Sequence, residues 1–196
     1  MPQRSLPLVA GEHYHLYNRG HNRQCVFFER ENYLFLLRRT RTYLVGEQQT
    51  SEGMTSIVAY CLMPTHFHLL VCAHDDDLSR HMQRLLISYT KAMNERYQRT
   101  GSLFEGQFQA ARVDNDEYLL HLSRYIHLNP VAARLVQKAQ DWEFSSYAEY
   151  VGLRQGTLPR PEGVLSQFAS RAAYQAFVES YQAGDREVIA HLLPGD

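Results

Sequence analysis

The sequence predicts an α+β fold in which an antiparallel sheet packs against helices. Segments with alternating apolar and polar residues, segments with apolar residues at helical spacing, and turn residues between them support this prediction. In chain order the predicted elements are β-α-β-β-α-β, followed by one more helix. This order is typical of a split βαβ, ferredoxin-like sandwich with its helices on one face of the sheet. The length of 196 residues fits one such domain with a small extension.

The first two predicted elements are a strand and a helix. Apolar and polar residues alternate over residues 12–18, which favours a strand, and a loop follows at Gly20. Between residues 31 and 45 apolar side chains, among them Leu34 and Leu37, recur at helical spacing. This helix is expected to end where the sequence becomes polar, at residues 46–53.

The next two elements are predicted to form a β-hairpin. Residues 57–62 are a compact apolar run that contains β-branched residues, and residues 66–72 resume an extended pattern. Pro64 lies between the two runs, where it breaks the first strand. The hairpin therefore supplies the second and third strands.

A long helix and a fourth strand are predicted after the hairpin. The helix covers residues 79–97, with Ser79 as its N-cap and Gly101 as the glycine that closes its end. The fourth strand covers residues 106–113.

The third helix follows the fourth strand and carries the candidate catalytic residue discussed below. It is expected to begin at Glu117, with Asp114 or Asp116 as its cap. Pro130 is expected to break or kink it just beyond Asn129, because proline cannot continue the helical hydrogen bonding.

Short helical stretches dominate the chain after Trp142. The pattern predicts helices over residues 171–183 and 185–193. We therefore expect a catalytic domain at residues 1–150 and a helical C-terminal extension at residues 151–196.

The overall composition is that of an ordinary globular protein. With 44% hydrophobic and 21% charged residues, it excludes a low-complexity or disordered chain. The apolar runs are far shorter than the roughly 18 residues that cross a bilayer, so a cytoplasmic protein with no membrane partner is expected. The three cysteines are widely spaced, which fits neither a zinc knuckle nor a disulfide framework, and they are expected to be buried, reduced thiols.

The net charge of −1 conceals two basic segments. Residues 19–41 hold six Arg against two Glu, residues 80–112 hold six Lys or Arg against two Glu, and the chain beyond residue 141 is acidic. Such segments can bind a phosphate backbone, and solvated helix faces are the alternative interpretation. The candidate DNA-binding residues are Arg19, Arg23, Arg80, Arg84, Lys91, Arg96, Arg99 and Arg112.

Two histidines, His66 and His68, stand two positions apart on the predicted third strand. Residues i and i+2 of a strand point to the same side, roughly 6.5–7 Å apart, so both imidazoles can face one metal ion. Phe67 between them would point into the core. The alternative is a pair of exposed histidines on a sheet face, since a chain with ten His produces such a pair easily by chance.

A polar stripe is predicted on the third helix. His121, Tyr125 and Asn129 are spaced four residues apart and share one face, while Leu122 and Ile126 belong to an apolar face. A stripe that points at the histidine pair would complete a candidate site. The alternative is a half-buried Tyr that bonds only to solvent or backbone.

Several common catalytic motifs do not occur in the sequence. It has no GxxxxGKS/T or GxGxxG motif, which argues against nucleotide sites of those types. It also has no HExxH or GxSxG motif, which argues against zincins and α/β-hydrolases.

Four blocks of the sequence, in order, resemble the signature blocks of REP-associated tyrosine transposases, relatives of the insertion-sequence transposases that act on single-stranded DNA. The resemblance covers about residues 12–150. The blocks are YHLYNRGHNR at 14–23, YCLMPTHFHLL at 60–70, GSLFEGQF at 101–108 and RYIHLNPV at 124–131.

This resemblance implies a role for each candidate residue. The His-hydrophobe-His pair corresponds to His66 and His68, which would bind a divalent metal, Mg²⁺ or Mn²⁺. Tyr125 corresponds to the nucleophile, and Asn129 to the polar residue that can complete the metal shell. Gln107 stands where the family pattern leads us to expect a basic residue, which weakens one expected DNA contact.

The activity implied is that of a single-stranded DNA transposase and endonuclease. It would cleave and rejoin DNA at hairpin-forming repeats through a 5′-phosphotyrosine intermediate, acting as a monomer or homodimer. Two other readings remain open: a metal-dependent phosphoesterase that activates water, and a non-enzymatic binder of structured single strands.

Overall fold

A computed structural model describes residues 6–46, 54–182 and 184–194. Within these residues four strands form one antiparallel sheet in the order β2-β3-β1-β4. The strands are β1 (His13–Arg19), β2 (Thr55–Met63), β3 (His66–Ala73) and β4 (Gln109–Val113). This order is that of a ferredoxin-like sandwich and confirms the predicted fold class.

Helices cover both faces of the sheet. Helices α1 (Arg30–Thr40) and α2 (Leu78–Arg96) pack on one face, where a π-helical turn over Arg41–Val45 extends α1. Helix α3 (Asp116–Ala132) packs on the other face. The prediction of helices on one face only was therefore incomplete. The physical reason is that β2 is apolar on both sides, so each face needs a cover.

Short helices near the C-terminal end also pack on the face that α3 covers, and all but the first belong to the extension at residues 151–196. They are α4 (Tyr147–Tyr150), α5 (Glu162–Leu165), α6 (Arg171–Glu179) and α7 (Asp185–Val188), followed by a 3-10 turn at Ala190–Leu192. Both predicted helices, at 171–183 and 185–193, are shorter than expected. The start of each, at residues 171 and 185, agrees with the prediction.

Several helix and strand ends differ from the expected ones. Helix α2 begins before Ser79, which lies inside it. Gln98, with φ 51°, is the first left-handed residue after its end, and Gly101, with φ 83°, follows three residues later. Gly106 has φ 72°, which is incompatible with a strand, so β4 starts three residues later. The N-cap residue of α3 also differs from the expected one.

Asn115, not Asp114 or Asp116, caps α3. Its side-chain oxygen accepts a hydrogen bond of 2.8 Å from the Tyr118 N–H. The helix also continues past Pro130 to Ala132, because the Ala133 N–H reaches the Asn129 carbonyl at 2.9 Å. Asn129 therefore lies within the helix, with its side chain fixed in direction.

The side chain of Arg124 ties α3 to the extension. It is 4% exposed and pairs with Asp185 at 2.7 Å. It also donates to the carbonyl of Phe177 and lies over that residue's ring, 4.1 Å from the centroid. These contacts fix α6 and α7 against the helix that carries Tyr125.

A second tie is made by a buried histidine of α3. The two ring nitrogens of His127 bond the Tyr174 hydroxyl at 2.7 Å and the Ser146 hydroxyl at 2.8 Å. Burial lowers the pKa of His127 to about 3, so the ring is neutral at pH 7.

The cysteines are free thiols, as expected, but they are not all buried. Cys61 is buried, Cys72 is half-buried and Cys25 is exposed. Helices long and apolar enough to span a bilayer are absent from the described residues.

Candidate active site

Strand pairing places polar side chains of β1 and β3 side by side. Tyr17 pairs with His68 and Arg19 with His66, while His15 pairs with Leu70. Because alternate residues of a strand share a face, these side chains point to the side of the sheet that α3 covers. Phe67, between the two histidines, packs in the core on the opposite side.

A cavity of about 590 Å³ opens on this face. Residues from β1, β3, β4, α3, the connecting turns and the C-terminal extension line it: Tyr17, Asn18, Arg19, Arg23, Thr65, His66, Phe67, His68, Glu105, Gln109, Tyr125, Arg186 and Pro194. The ring of Tyr125 lies 5.6 Å from that of His68, centroid to centroid. The structure thus brings the tyrosine and the histidine pair into one cavity.

The two histidines are close together and shielded from solvent. Their ring centroids lie 5.1 Å apart in an edge-to-face arrangement, and His68 is only 1% exposed, so it is not the surface histidine of the alternative reading. The Nδ1 atom of His66 is 2.9 Å from the Thr65 hydroxyl, and Nδ1 of His68 is 2.9 Å from Nε2 of His15. Burial lowers the pKa of both His66 and His68, which favours the neutral rings that can bind metal.

Asn129 links the tyrosine to the histidine pair. It lies one helical turn after Tyr125 and donates from Nδ2 to the Tyr125 carbonyl at 2.9 Å. Its side chain also lies close enough to the His66 ring and the Tyr125 hydroxyl to affect the pKa of both groups. Burial raises the pKa of Tyr125, and the Asn129 hydrogen bond and the charge of Arg186 lower it to a smaller extent. The phenol is therefore protonated at neutral pH.

The donor set at this end of the cavity suits a divalent cation. His66 and His68 offer imidazole nitrogens and Asn129 offers an amide oxygen, which leaves coordination positions for a substrate oxygen and water. In the described part of the chain, no group of three or more His, Cys, Asp or Glu side chains is arranged to hold a metal ion by itself. Asn129 offers a neutral amide oxygen close to the His66 ring.

Of the eight basic residues proposed to bind DNA, two line the cavity. They are Arg19, which pairs with Glu105 at 2.5 Å, and Arg23. The other six do not line it.

Those six lie elsewhere on the surface. Arg80, Arg84 and Lys91 are exposed on α2, which packs on the opposite face of the sheet. Arg96 pairs with Glu29 at 2.5 Å, and Arg112 pairs with Glu12 at 2.8 Å. Arg99 lies over the ring of Phe28, at the end of α2.

The third member of the predicted stripe, His121, is outside the cavity. Its Nδ1 atom is 3.0 Å from Arg124 and 3.9 Å from Asp185, so it belongs to the contact between α3 and the extension. The four-residue spacing correctly predicted that His121 shares a helix face with Tyr125 and Asn129. It is one turn too far from the sheet's histidine pair to reach it.

Sequence reasoning missed several residues that line the cavity, and also His15, which lies buried behind it. His15 and Tyr17 share the face of Arg19, and the alternation in β1 contained that signal, but only the strand pairing shows that this face meets His68. Arg186 and Pro194 come from the extension, and no spacing in the sequence connects them to the site.

The fold and the cavity define a class of α+β proteins in which a sheet presents a histidine pair to a helix-borne tyrosine. The chain belongs to the family described as IS200-like transposases, whose model matches residues 9–129. This confirms the family resemblance of the sequence blocks, and it classes the protein as a DNA transposase. The match contains the histidine pair, Tyr125 and Asn129, and it ends before the extension begins.

Two individual relatives support this assignment. A curated protein of Haemophilus influenzae, named as a REP-associated tyrosine transposase, is 26% identical over 129 residues, which are 56% of this chain and 73% of that protein. A solved structure of a REP-associated tyrosine transposase bound to a REP hairpin superposes with a TM-score of 0.62 at 18% identity. The superposition covers 82% of this chain and 98% of the other, and it establishes a shared fold.

Proposed function

We propose that this protein cleaves and rejoins single-stranded DNA at hairpin-forming repeats through a covalent 5′-phosphotyrosine intermediate. The observation that carries the proposal is the position of Tyr125, whose ring is 5.6 Å from His68 in a cavity lined by Arg19 and Arg23. The REP hairpin bound to the solved relative supports a hairpin as the substrate. The division into a catalytic domain at 1–150 and an extension at 151–196 is part of this proposal.

A divalent metal, Mg²⁺ or Mn²⁺, held by His66, His68 and Asn129 would polarise the scissile phosphate and offset its negative charge. Arg19 and Arg23 would contact the phosphate oxygens and orient the strand. Both are exposed enough to meet DNA, and Arg19 can exchange its Glu105 partner for a phosphate. The guanidinium groups therefore position the DNA while the tyrosine reacts.

Tyr125 performs the displacement. Its hydroxyl oxygen attacks phosphorus as the phenol proton passes to solvent water, the bond to the 3′ oxygen breaks, and the departing oxygen takes up a proton from water to become a free 3′-hydroxyl. The new phosphotyrosine bond retains the energy of the broken one, so rejoining needs no nucleotide cofactor. Because burial raises the pKa of Tyr125, its proton must leave during attack, and Asn129 and Arg186 favour the resulting phenolate.

The test is the substitution Tyr125→Phe, which deletes one oxygen and keeps the ring. Two signals on a denaturing gel are expected to disappear together: the free fragment released from a 5′-labelled hairpin, and the covalent adduct formed with a 3′-labelled hairpin. Tyr118→Phe is the matched control on the same helix, because Tyr118 packs against His191 and does not line the cavity. The control is expected to behave as wild type.

The outcomes separate the competing functions. An adduct that persists in Tyr125→Phe means that the nucleophile lies elsewhere. Cleavage without an adduct, in the wild type, would replace the proposal with a phosphoesterase that activates water. Binding without cleavage would leave a non-enzymatic hairpin binder.

A further inference from the structure

A buried chain of hydrogen bonds lies behind the histidine pair. The Leu192 carbonyl is 2.7 Å from Nδ1 of His15, and Nε2 of His15 is 2.9 Å from Nδ1 of His68. His15 and His68 are 0% and 1% exposed, so solvent does not compete for these bonds. The chain connects the C-terminal extension to β1 and then to the site.

The position of each proton follows from the chemistry of the partners. A carbonyl oxygen can only accept, so Nδ1 of His15 carries a proton and donates to Leu192. His15 is fully buried, and no carboxylate contacts its ring among the described residues, so a charged imidazole would lack compensation. The neutral ring therefore has a bare Nε2, which accepts from His68.

The same reasoning fixes the state of His68. Its Nδ1 atom must carry the proton that it donates to His15. In the neutral ring the lone pair then belongs to Nε2, the nitrogen that His15 does not engage.

We propose that His15 is a positioning residue that, with the Leu192 carbonyl, holds His68 as the Nδ1-H tautomer and leaves its Nε2 lone pair for a divalent cation. Histidines that bind metals are commonly oriented in this way by a partner on the other ring nitrogen. The identity of the bound cation rests on the proposed function, whereas the tautomer does not. The extension thereby becomes a part of the site.

The tautomer is measured directly in the metal-free wild-type protein. Long-range ¹H–¹⁵N correlation spectra at neutral pH distinguish a protonated from a bare nitrogen in each imidazole, and His68→Gln identifies the His68 signals. The expected pattern is protonated Nδ1 and bare Nε2 in both His15 and His68. A proton on Nε2 of His68 overturns the proposal, and this measurement requires no His15 variant.

A pair of variants then tests the consequence for metal binding. His15→Gln keeps an amide oxygen able to accept near the position of Nε2, whereas His15→Leu removes the acceptor. Calorimetric titration of each protein with Mn²⁺ in the absence of DNA is expected to show about 10–100-fold weaker binding for His15→Leu. His15→Gln is expected to stay close to wild type. Thermal unfolding verifies that both variants are folded.

Two results separate this proposal from the proposed function. If wild type binds Mn²⁺ and folded His15→Leu binds it equally well, the role of His15 is refuted while the metal site stands. If wild type binds no Mn²⁺ but shows the expected tautomers, the positioning of His68 is supported, and the metal-dependent part of the proposed function is refuted.

Discussion

Acid should destabilise this protein through His127, and the size of the effect can be worked out from its surroundings. The ring is fully buried between the hydroxyls of Tyr174 and Ser146, and its pKa is about 3. In the unfolded chain the pKa returns to about 6.5. Above pH 6.5 the His127 ring is neutral in both the folded and the unfolded protein, and its contribution to stability is fully present.

Below that pH the unfolded state gains a proton that the folded state does not, so stability is lost as the pH falls toward 3. At pH 5 the difference in proton binding amounts to about 2 kcal/mol of unfolding free energy for this one ring. The matched variant is His127→Gln, which cannot titrate. At pH 7 it should cost about 1–3 kcal/mol, because two buried hydroxyls lose well-placed partners.

Urea unfolding at pH 7 and pH 5 measures the effect. Between these conditions the unfolding free energy of wild type is expected to fall by about 2 kcal/mol more than that of His127→Gln. The other buried histidines titrate alike in both proteins, so their effects cancel. Equal losses in the two proteins would refute the assignment of a neutral, buried His127.

Other substitutions test separate parts of the molecule. His66→Ala should abolish Mn²⁺ binding in calorimetry while the protein stays folded, because its ring is half-buried at the cavity; binding at wild-type affinity would exclude it as a ligand. Arg124→Met should lower the unfolding free energy by about 1.5–3 kcal/mol, since it removes charged hydrogen bonds to Asp185 and Phe177, and an unchanged urea midpoint would contradict this. Arg23→Ala should weaken hairpin DNA binding and reduce its slope against salt by about 1, because Arg23 lines the cavity, and an identical slope would remove Arg23 from the interface.

The elements of this fold were predictable because each has a strong local pattern. Alternation gives β1, a proline-interrupted apolar run gives the β2–β3 hairpin, and helical spacing gives α1 to α3. The two-residue spacing of His66 and His68 was enough to place their side chains on one face. These features depend only on neighbouring residues in the sequence, so they could be derived without knowing which elements pack together.

The remaining features depend on contacts between distant segments. The sequence offers no reason to prefer Asn115 over Asp114 or Asp116 as the cap, because the side chains of Asn and Asp can both accept this hydrogen bond. The hydrogen bond between His15 and His68 requires that β1 pair with β3 in one register. Arg186 reaches the cavity only because of the path that the extension takes across α3. The contacts of Arg124 with Asp185 and Phe177 fix that path.

The hydrogen bond from His15 to Leu192 joins residues 177 positions apart. During synthesis the N-terminal part of a chain leaves the ribosome first and can begin to fold. A nascent chain that has emerged only through α3 contains all four strands of the sheet, the histidine pair and Tyr125. It still lacks the Leu192 carbonyl that binds His15. Translation must therefore proceed through residue 192 before the hydrogen bond that orients His15, and through it His68, can form.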